Sequence, residues 1–432
     1  MLILIAVLGG SIMIIRAAGL QNSNTLRFTG TINYLSLKMG TYAMSWNFKE
    51  YDANTIASTF DMSQSWWVGP PPSNNDYSAK MNQVHALNPN YKFLLYRNCM
   101  SVYSYWADEW NYAKSQGWLL KDINGNYVTE SNWGYSANYM VDITNQSYQQ
   151  WLGAKVESWL NQYPSFDGVM ADNSLKYSAQ EFAGASKTRP INPGTGTYFT
   201  DMEILNGCGG MLNAIIDAIG QNKLLVPNGI WNGAIWQNTW FGGDNYRYVL
   251  SRVPRLNGLM SEGLFMAPNN QWYDESLWKN SVDFVAWAQH SFLSGHPERH
   301  FNGECLTYAL PTGATSEQVI EYGYCSMLLA TEYASPQNTI SFGFSQDFLP
   351  NSSLLQLLQK LRNVDLIGPS GGYYKIASTS VYARDFVNGK VLVNPTDASF
   401  EVTLDGNYTT FDNVAVSGLL TVSAHSGSIL FR

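Results

Sequence analysis

From about Thr31 to Leu366, short apolar runs alternate with longer stretches of helical period. Brief apolar runs bounded by Gly, Pro or Asn read as buried strands, and strands alternating with helices are the mark of a parallel sheet. The pattern predicts strands at Thr41–Trp46, Asp61–Val68, Tyr91–Arg97, Phe166–Asn173, Lys223–Pro227, Gly258–Glu262, Cys305–Ala309 and Thr339–Phe344. Helices are predicted at Thr55–Phe60, Tyr77–Leu87, Tyr105–Gln116, Ser147–Gln162, Met202–Gly220, Glu275–Leu293, Ser316–Thr331 and Ser353–Asn363. An aromatic excursion from Trp118 to Trp133 turns at Asn124-Gly125-Asn126. A long loop, Ser174–Thr200, and a second one carrying Trp231, Trp236 and Trp240 follow later strands. Loops of such length are usually functional or disordered.

Strand-helix alternation on this scale predicts a (β/α)₈ TIM barrel over residues 20–366. The texture changes after Leu366. Beyond the turn cluster Gly368-Pro369-Ser370-Gly371-Gly372, short alternating runs joined at Asn388-Gly389 and Asp405-Gly406 predict antiparallel hairpins. Residues 367–432 are therefore read as a small β-sandwich that caps the barrel. At the other end, Met1–Ile15 is almost wholly apolar and leads to Arg16-Ala17-Ala18-Gly19. That run is shorter than the ~18–20 residues that span a bilayer. Residues 1–19 read as a signal peptide, or as a membrane anchor acting through residues 1–15. Either predicts a secreted or cell-surface protein, and Asn145, Asn351 and Asn407 lie in glycosylation sequons.

Composition narrows the partners. Hydrophobic residues make up 45% of the 432, enough for a large core, while charged residues are only 13%. Aromatics reach 14%, with Trp 15 and Tyr 27, which suits both a core and a surface that stacks on sugars. A net charge of -8 without a run of Lys or Arg excludes a nucleic-acid binder. None of the four cysteines has zinc-site spacing; in an exported chain they allow one or two disulfides, in any of three full pairings. His296 and His300 are separated by Pro297, so they do not share a helical face, and no metal is expected there. With no nucleophile elbow, P-loop or dinucleotide fingerprint, no cofactor is expected either.

The candidate chemistry lies in two strands of matched grammar, Gly168-Val169-Met170-Ala171-Asp172 and Gly258-Leu259-Met260-Ser261-Glu262. Side chains alternate along a strand, so each Gly, Met and terminal acid share a face. Barrel active sites form at the C-terminal strand ends, and equivalent positions of even-numbered strands fall in one layer. Asp172 and Glu262 are thus predicted catalytic. Neighbouring strands lie ~4.8 Å apart, so tips of strands with one neighbour between them stand several ångströms apart. Glycoside hydrolysis needs carboxyl groups ~5–5.5 Å apart for retention or ~6.5–9.5 Å for inversion. Arg97, Asn173 and Asn228, at strand ends, are expected to bind substrate. So are Trp46 and Trp66, ending the first two strands, and Trp231, after the fifth.

Phe166–Asn173 resembles the strand-four motif of glycoside hydrolases in the broad α-galactosidase and α-amylase barrel group. It is most similar to hypothetical glycosyl hydrolase family 15. Asn90–Asn98, Trp118–Asp122 with Gly125, Met140–Asn145 and Met260–Glu262 are similar too. So is the tail at Val381–Phe386, Gly389–Pro395 and Ser423–Phe431. The resemblance implies Asp172 as nucleophile and Glu262 as acid/base, with retention and a preference for α-linked sugars. The expected function is an exported glycosidase acting on a poly- or oligosaccharide. The alternative is a non-catalytic carbohydrate-binding or surface structural protein on the same scaffold.

Overall fold

Polar caps set the helix starts. Asn145 accepts from the Ser147 and Tyr148 amides at the head of Gln146–Gln162. Thr200 and Glu203 form a reciprocal capping box at the head of Asp201–Ile219. These two helices pack closely at Gly153, where a Cβ would lie 2.5 Å from the Ala214 carbonyl oxygen.

The computed structural model describes residues 3–8, 11–16, 38–42, 52–68, 78–230, 232–237, 243–267, 271–305, 310–331, 339–344 and 353–432. Its centre is an eight-stranded sheet. The strands are β1 (Lys38–Tyr42), β2 (Met62–Val68), β3 (Lys92–Asn98) and β4 (Gly168–Asp172). Then come β5 (Leu224–Pro227), β6 (Gly258–Ser261), β7 (His300–Cys305) and β8 (Thr339–Phe344). Their order is β5-β4-β3-β2-β1-β8-β7-β6, and every neighbouring pair is parallel. The outermost strands also approach each other. Ile230 makes an isolated parallel bridge to Ser261, and the Leu225 amide donates to Asn257 Oδ1 at 2.8 Å.

One face of this sheet carries Met62, Leu94, Tyr96, Met170, Leu224, Val226 and Met260 in a single buried cluster. Gln64, Asn302, Glu304 and Ser341 are buried beside it. The opposite face packs on the helices through residues such as Phe93, Leu95, Val169, Leu225, Leu259 and Phe301. Both faces are buried, as in parallel sheets generally. Gly168 is required by the next strand, since a Cβ there would meet the Leu224 carbonyl oxygen at 2.1 Å.

The β-rich C-terminal part has a six-stranded antiparallel sheet and a two-stranded one, Phe400–Thr403 with Leu419–Val422. Val381, Ala383, Leu392, Val402, Leu404, Tyr408, Val422 and Leu430 form its own core. Among its contacts with the α/β part are two sets of polar ones. Arg384 is buried and donates from Nη1 to the carbonyls of Leu329 and Thr331 at 2.8 Å, at the C-terminus of helix Ser316–Ala330. The Glu275 carboxylate accepts from Lys375, Ser380 and Tyr382.

The chain is thus a mixed α/β fold with a β-rich C-terminal part, and several expectations need correction. The seventh strand runs His300–Cys305, earlier than Cys305–Ala309, whose later residues lie outside the described ones. Its buried face carries Asn302 and Glu304, so it has no apolar run to signal it. The first strand is Lys38–Tyr42, and residues 43–51 lie outside the described ones. Helix Gly243–Arg252 was not predicted, and the long loop holds a short helix, Ala179–Gly184. The four cysteines are buried and free, so none of the pairings the sequence allows is formed. Within residues 1–19, Ile3–Leu8 and Ser11–Arg16 pair as antiparallel strands. Among the described residues no helix is long and apolar enough to cross a membrane.

Candidate active site

Register sets the site. Asn98 pairs with Asp172 across β3 and β4. The Asn228 amide donates to the Ala171 carbonyl at 2.9 Å, which levels Asn228 with the end of β4. Ser261 pairs with Gly303, so Glu262 and Glu304 follow at matching positions on β6 and β7. Asp172, Asn228, Glu262 and Glu304 therefore lie at or just past the C-terminal ends of β4, β5, β6 and β7.

The two predicted acids come together through Asn228. Its Nδ2 donates to Asp172 Oδ1 at 3.0 Å and to Glu262 Oε2 at 2.8 Å. Those two oxygens are therefore at most about 6 Å apart, within the range of paired glycosidase carboxylates. Asp172 Oδ2 accepts from the Tyr96 hydroxyl at 2.6 Å and from Asn173 Nδ2 at 3.1 Å. Asn173 has a φ of 56°, a left-handed conformation that Asn tolerates better than most residues. That turn folds its amide back over the carboxylate.

Burial acts on both acids. It pushes the Asp172 carboxyl above its ordinary value, against the Tyr96 hydroxyl, the Lys176 charge and the Asn228 amide, which pull it down. Burial, and then the Asp172 charge, push Glu262 up to about 7. The two environments thus differ: hydrogen bonds and the Lys176 charge oppose the rise of Asp172, while the Asp172 charge adds to the rise of Glu262.

Glu304 lies deeper and is fully buried. Its Oε1 accepts from Gln64 Nε2 at 2.9 Å and Asn302 Nδ2 at 2.6 Å. Its Oε2 and the Gln64 Oε1 have no hydrogen-bond partner among the described residues. Gly343 on β8 makes room for it, since a Cβ there would lie 2.5 Å from Glu304 Cγ. Burial, followed by the neighbouring Glu262, pushes the Glu304 carboxyl well above its ordinary value.

The rim is aromatic. A small sheet joins Ser101–Tyr103, just after β3, to Thr129–Glu130 and Tyr135–Met140 at the end of the excursion. Its buried Glu130 accepts from Asn98 at 3.0 Å and Asn138 at 2.7 Å. Tyr105, just after the first of these strands, and Tyr135, at the start of the last, are exposed. The charges of Glu130, Asp172 and Glu262 all raise the Tyr135 phenol, after the larger effect of its own burial.

Other expected substrate contacts fall differently. Arg97 faces away from Asp172: it is one residue past Tyr96, so alternation turns it to the helix side of β3. There it is fully buried, pairs with Glu109 at 3.0 Å and packs against Trp159, Trp151 and Trp106. It holds helices to the sheet and does not touch the site. Trp46 and Trp231 lie outside the described residues, and of Trp66 only the backbone is described. His296 pairs with Glu298, and the described residues hold no metal-binding group of His, Cys, Asp and Glu. Sequence reasoning missed Tyr96, Lys176 and Glu304. The first was recoverable from the period Leu94, Tyr96, Asn98; the other two had no local signal.

An α/β fold that gathers two carboxylates around one donor at its strand ends is of the kind glycoside hydrolases use. Residues 85–390 match the family described as hypothetical glycosyl hydrolase family 15, and the chain belongs to that family. No curated protein matches it. Among solved structures it is similar to the GH31 dextranase FjDex31A of Flavobacterium johnsoniae, at 12% identity and TM-score 0.47, covering 92% of this chain and 51% of that one. It is similar to the cycloalternan-degrading enzyme of Trueperella pyogenes, at 9% identity and TM-score 0.46, covering 94% and 63%. The debranching enzyme of Nostoc punctiforme matches at 11% identity and TM-score 0.46, covering 92% and 98%. The chain thus spans about half to under two thirds of the length of the first two.

Proposed function

We propose that this chain is a retaining glycosidase acting on an oligo- or polysaccharide, with its eight parallel strands closed as a barrel and Asp172 and Glu262 as its catalytic pair. The observation that carries the reading is the single Asn228 nitrogen donating to both carboxylates. In the first step Asp172 Oδ1 attacks the anomeric carbon while Glu262 gives its proton to the leaving glycosidic oxygen. A covalent glycosyl ester on Asp172 results. In the second step Glu262, now a carboxylate, takes a proton from water, whose oxygen displaces Asp172. Tyr96 and Asn173 hold the second oxygen of Asp172 through both steps. The exposed Tyr105 and Tyr135 at the rim suit stacking on sugar faces. Membership of the wider α-galactosidase and α-amylase barrel group, action on α-linked sugars, and export through residues 1–19 belong to the same reading.

The test is a hydrolysis screen on a glycan array with Asp172→Asn and Glu262→Gln beside the native chain. Each substitution should lower turnover by about 10³-fold or more and leave the melting temperature close to native. Proton NMR of the first product should show the anomeric configuration of the substrate. Full turnover in Asp172→Asn, or an inverted first product, would sink the reading.

A further inference from the structure

A buried ammonium stands behind the acid pair. The Lys176 side chain is 0% exposed. Its Nζ donates to Asn173 Oδ1 at 3.1 Å, lies 3.7 Å from Glu181 Oε1 and sits 5.2 Å from the centre of the Trp133 ring. Asn173 Nδ2, on the other side of the same amide, donates to Asp172 Oδ2 at 3.1 Å. Cation, amide and carboxylate are thus in line, and the left-handed backbone at Asn173 makes the line reachable.

Burying an ammonium is costly unless it is paired. Here the nearest carboxylate is beyond hydrogen-bond length, and the close contact is an amide aimed at Asp172. The other titratable groups around Asp172 are Tyr96 on β3, Glu262 after β6, Cys99 after β3, and Glu130, Tyr103 and Tyr135 on or beside the excursion. Glu181 and Cys208 flank Lys176, with Tyr177 and Tyr246 behind Glu181. All of these are neutral or anionic. Arg97 is on the far face of β3 and paired with Glu109. Among the described residues around Asp172, Lys176 is the cation.

We infer that Lys176 is a positioning residue which, through the Asn173 amide, keeps Asp172 as the ionised member of the carboxylate pair. The inference rests on Asp172 being the nucleophile, and it adds what selects it. Without the cation, Asp172 keeps its Tyr96 and Asn228 hydrogen bonds but loses the full positive charge behind it, and the preference of the proton for Glu262 weakens. With it, negative charge settles on Asp172, and the proton stays on Glu262. Lys176 itself does not reach the reacting atoms.

The experiment is a carbon-13 NMR titration of the full chain labelled at aspartate Cγ, with the Asp172 signal assigned by its loss in Asp172→Asn. In Lys176→Met the Asp172 midpoint should move up by about one pH unit or more. In Asn173→Gly, which keeps the left-handed turn but removes the amide, it should move up by less. An unchanged or lowered midpoint in Lys176→Met overturns the inference. Should that variant not fold, Asn173→Gly decides alone: a rise supports the relay, and no shift overturns it. The readout needs no turnover, so it stands apart from the nucleophile reading, which fails instead if Asp172→Asn remains active.

Discussion

Asp172 and Glu262 accept hydrogen bonds from the same nitrogen, Nδ2 of Asn228, at 3.0 and 2.8 Å. Asn228, the residue after β5, fills the gap between them. Asn228 lowers both carboxyls, so its loss should raise both. Asn228→Ala should reduce turnover by about 10²-fold, and Asn228→Asp by more, because it sets a third negative charge between the first two. Steady-state kinetics of both variants beside the native chain check this order.

The pH profile follows from the two environments. Glu262 must hold a proton, so turnover should fall as pH rises through about 7. Asp172 must be ionised, and its carboxyl is raised by burial, so the acid limb should lie above the ordinary aspartate value of 3.8. A mildly acidic optimum is expected. Glu262→Gln should remove the alkaline limb from what activity is left. An alkaline limb that survives this substitution assigns the proton to another group.

Glu304 predicts a pH dependence of stability. Its folded value is raised, so its contribution is full below the ordinary glutamate value of 4.5 and is lost as pH rises beyond it. Glu304→Gln keeps the shape without the ionisation. Its melting temperature relative to native should improve steadily from pH 4.5 to 8, as scanning calorimetry can follow. A constant difference across that range would count against a protonated Glu304.

Gly343 predicts a steric counterpart. A methyl group there meets Glu304 Cγ at 2.5 Å, with strands on both sides and nowhere to move. Gly343→Ala should destabilise by roughly 1–3 kcal/mol. In the double variant Glu304→Ala/Gly343→Ala, part of that cost should return, and chemical denaturation of the two variants checks the coupling.

Arg384 is the test of how the two parts are joined. Its guanidinium satisfies carbonyls that helix Ser316–Ala330 leaves unpaired at its end. Arg384→Met should cost about 3 kcal/mol or more, since hydrogen bonds to charged groups are worth about 1.5–3 kcal/mol each. Unfolding should then split into two transitions, visible by calorimetry. A single transition at the native temperature would show that the other contacts between the parts, those of Glu275, Asp283 and Gln318 among them, suffice.

Legibility in the sequence depended on which face of each strand was polar. β4, β5 and β6 were readable because Met170, Val226 and Met260 continue the apolar run on both faces and an acid or amide ends it abruptly. β7 was not, because His300, Asn302 and Glu304 interrupt it with buried polar side chains whose partners are remote in sequence. Arg97 was misplaced for the opposite reason. Both faces of β3 are buried, so composition alone does not reveal which residues share the face of Asp172. Lys176 sits in a long loop, where nothing periodic fixes its direction.

Cys99, Cys208, Cys305 and Cys325 are all buried and unlinked, and burial holds each thiol above its ordinary value. A thiol so shielded and so reluctant to become thiolate is a poor target for oxidants and alkylating reagents. The molecule needs no covalent staple, so it should be obtainable in the same active form from a reducing bacterial cytosol and from an oxidising medium.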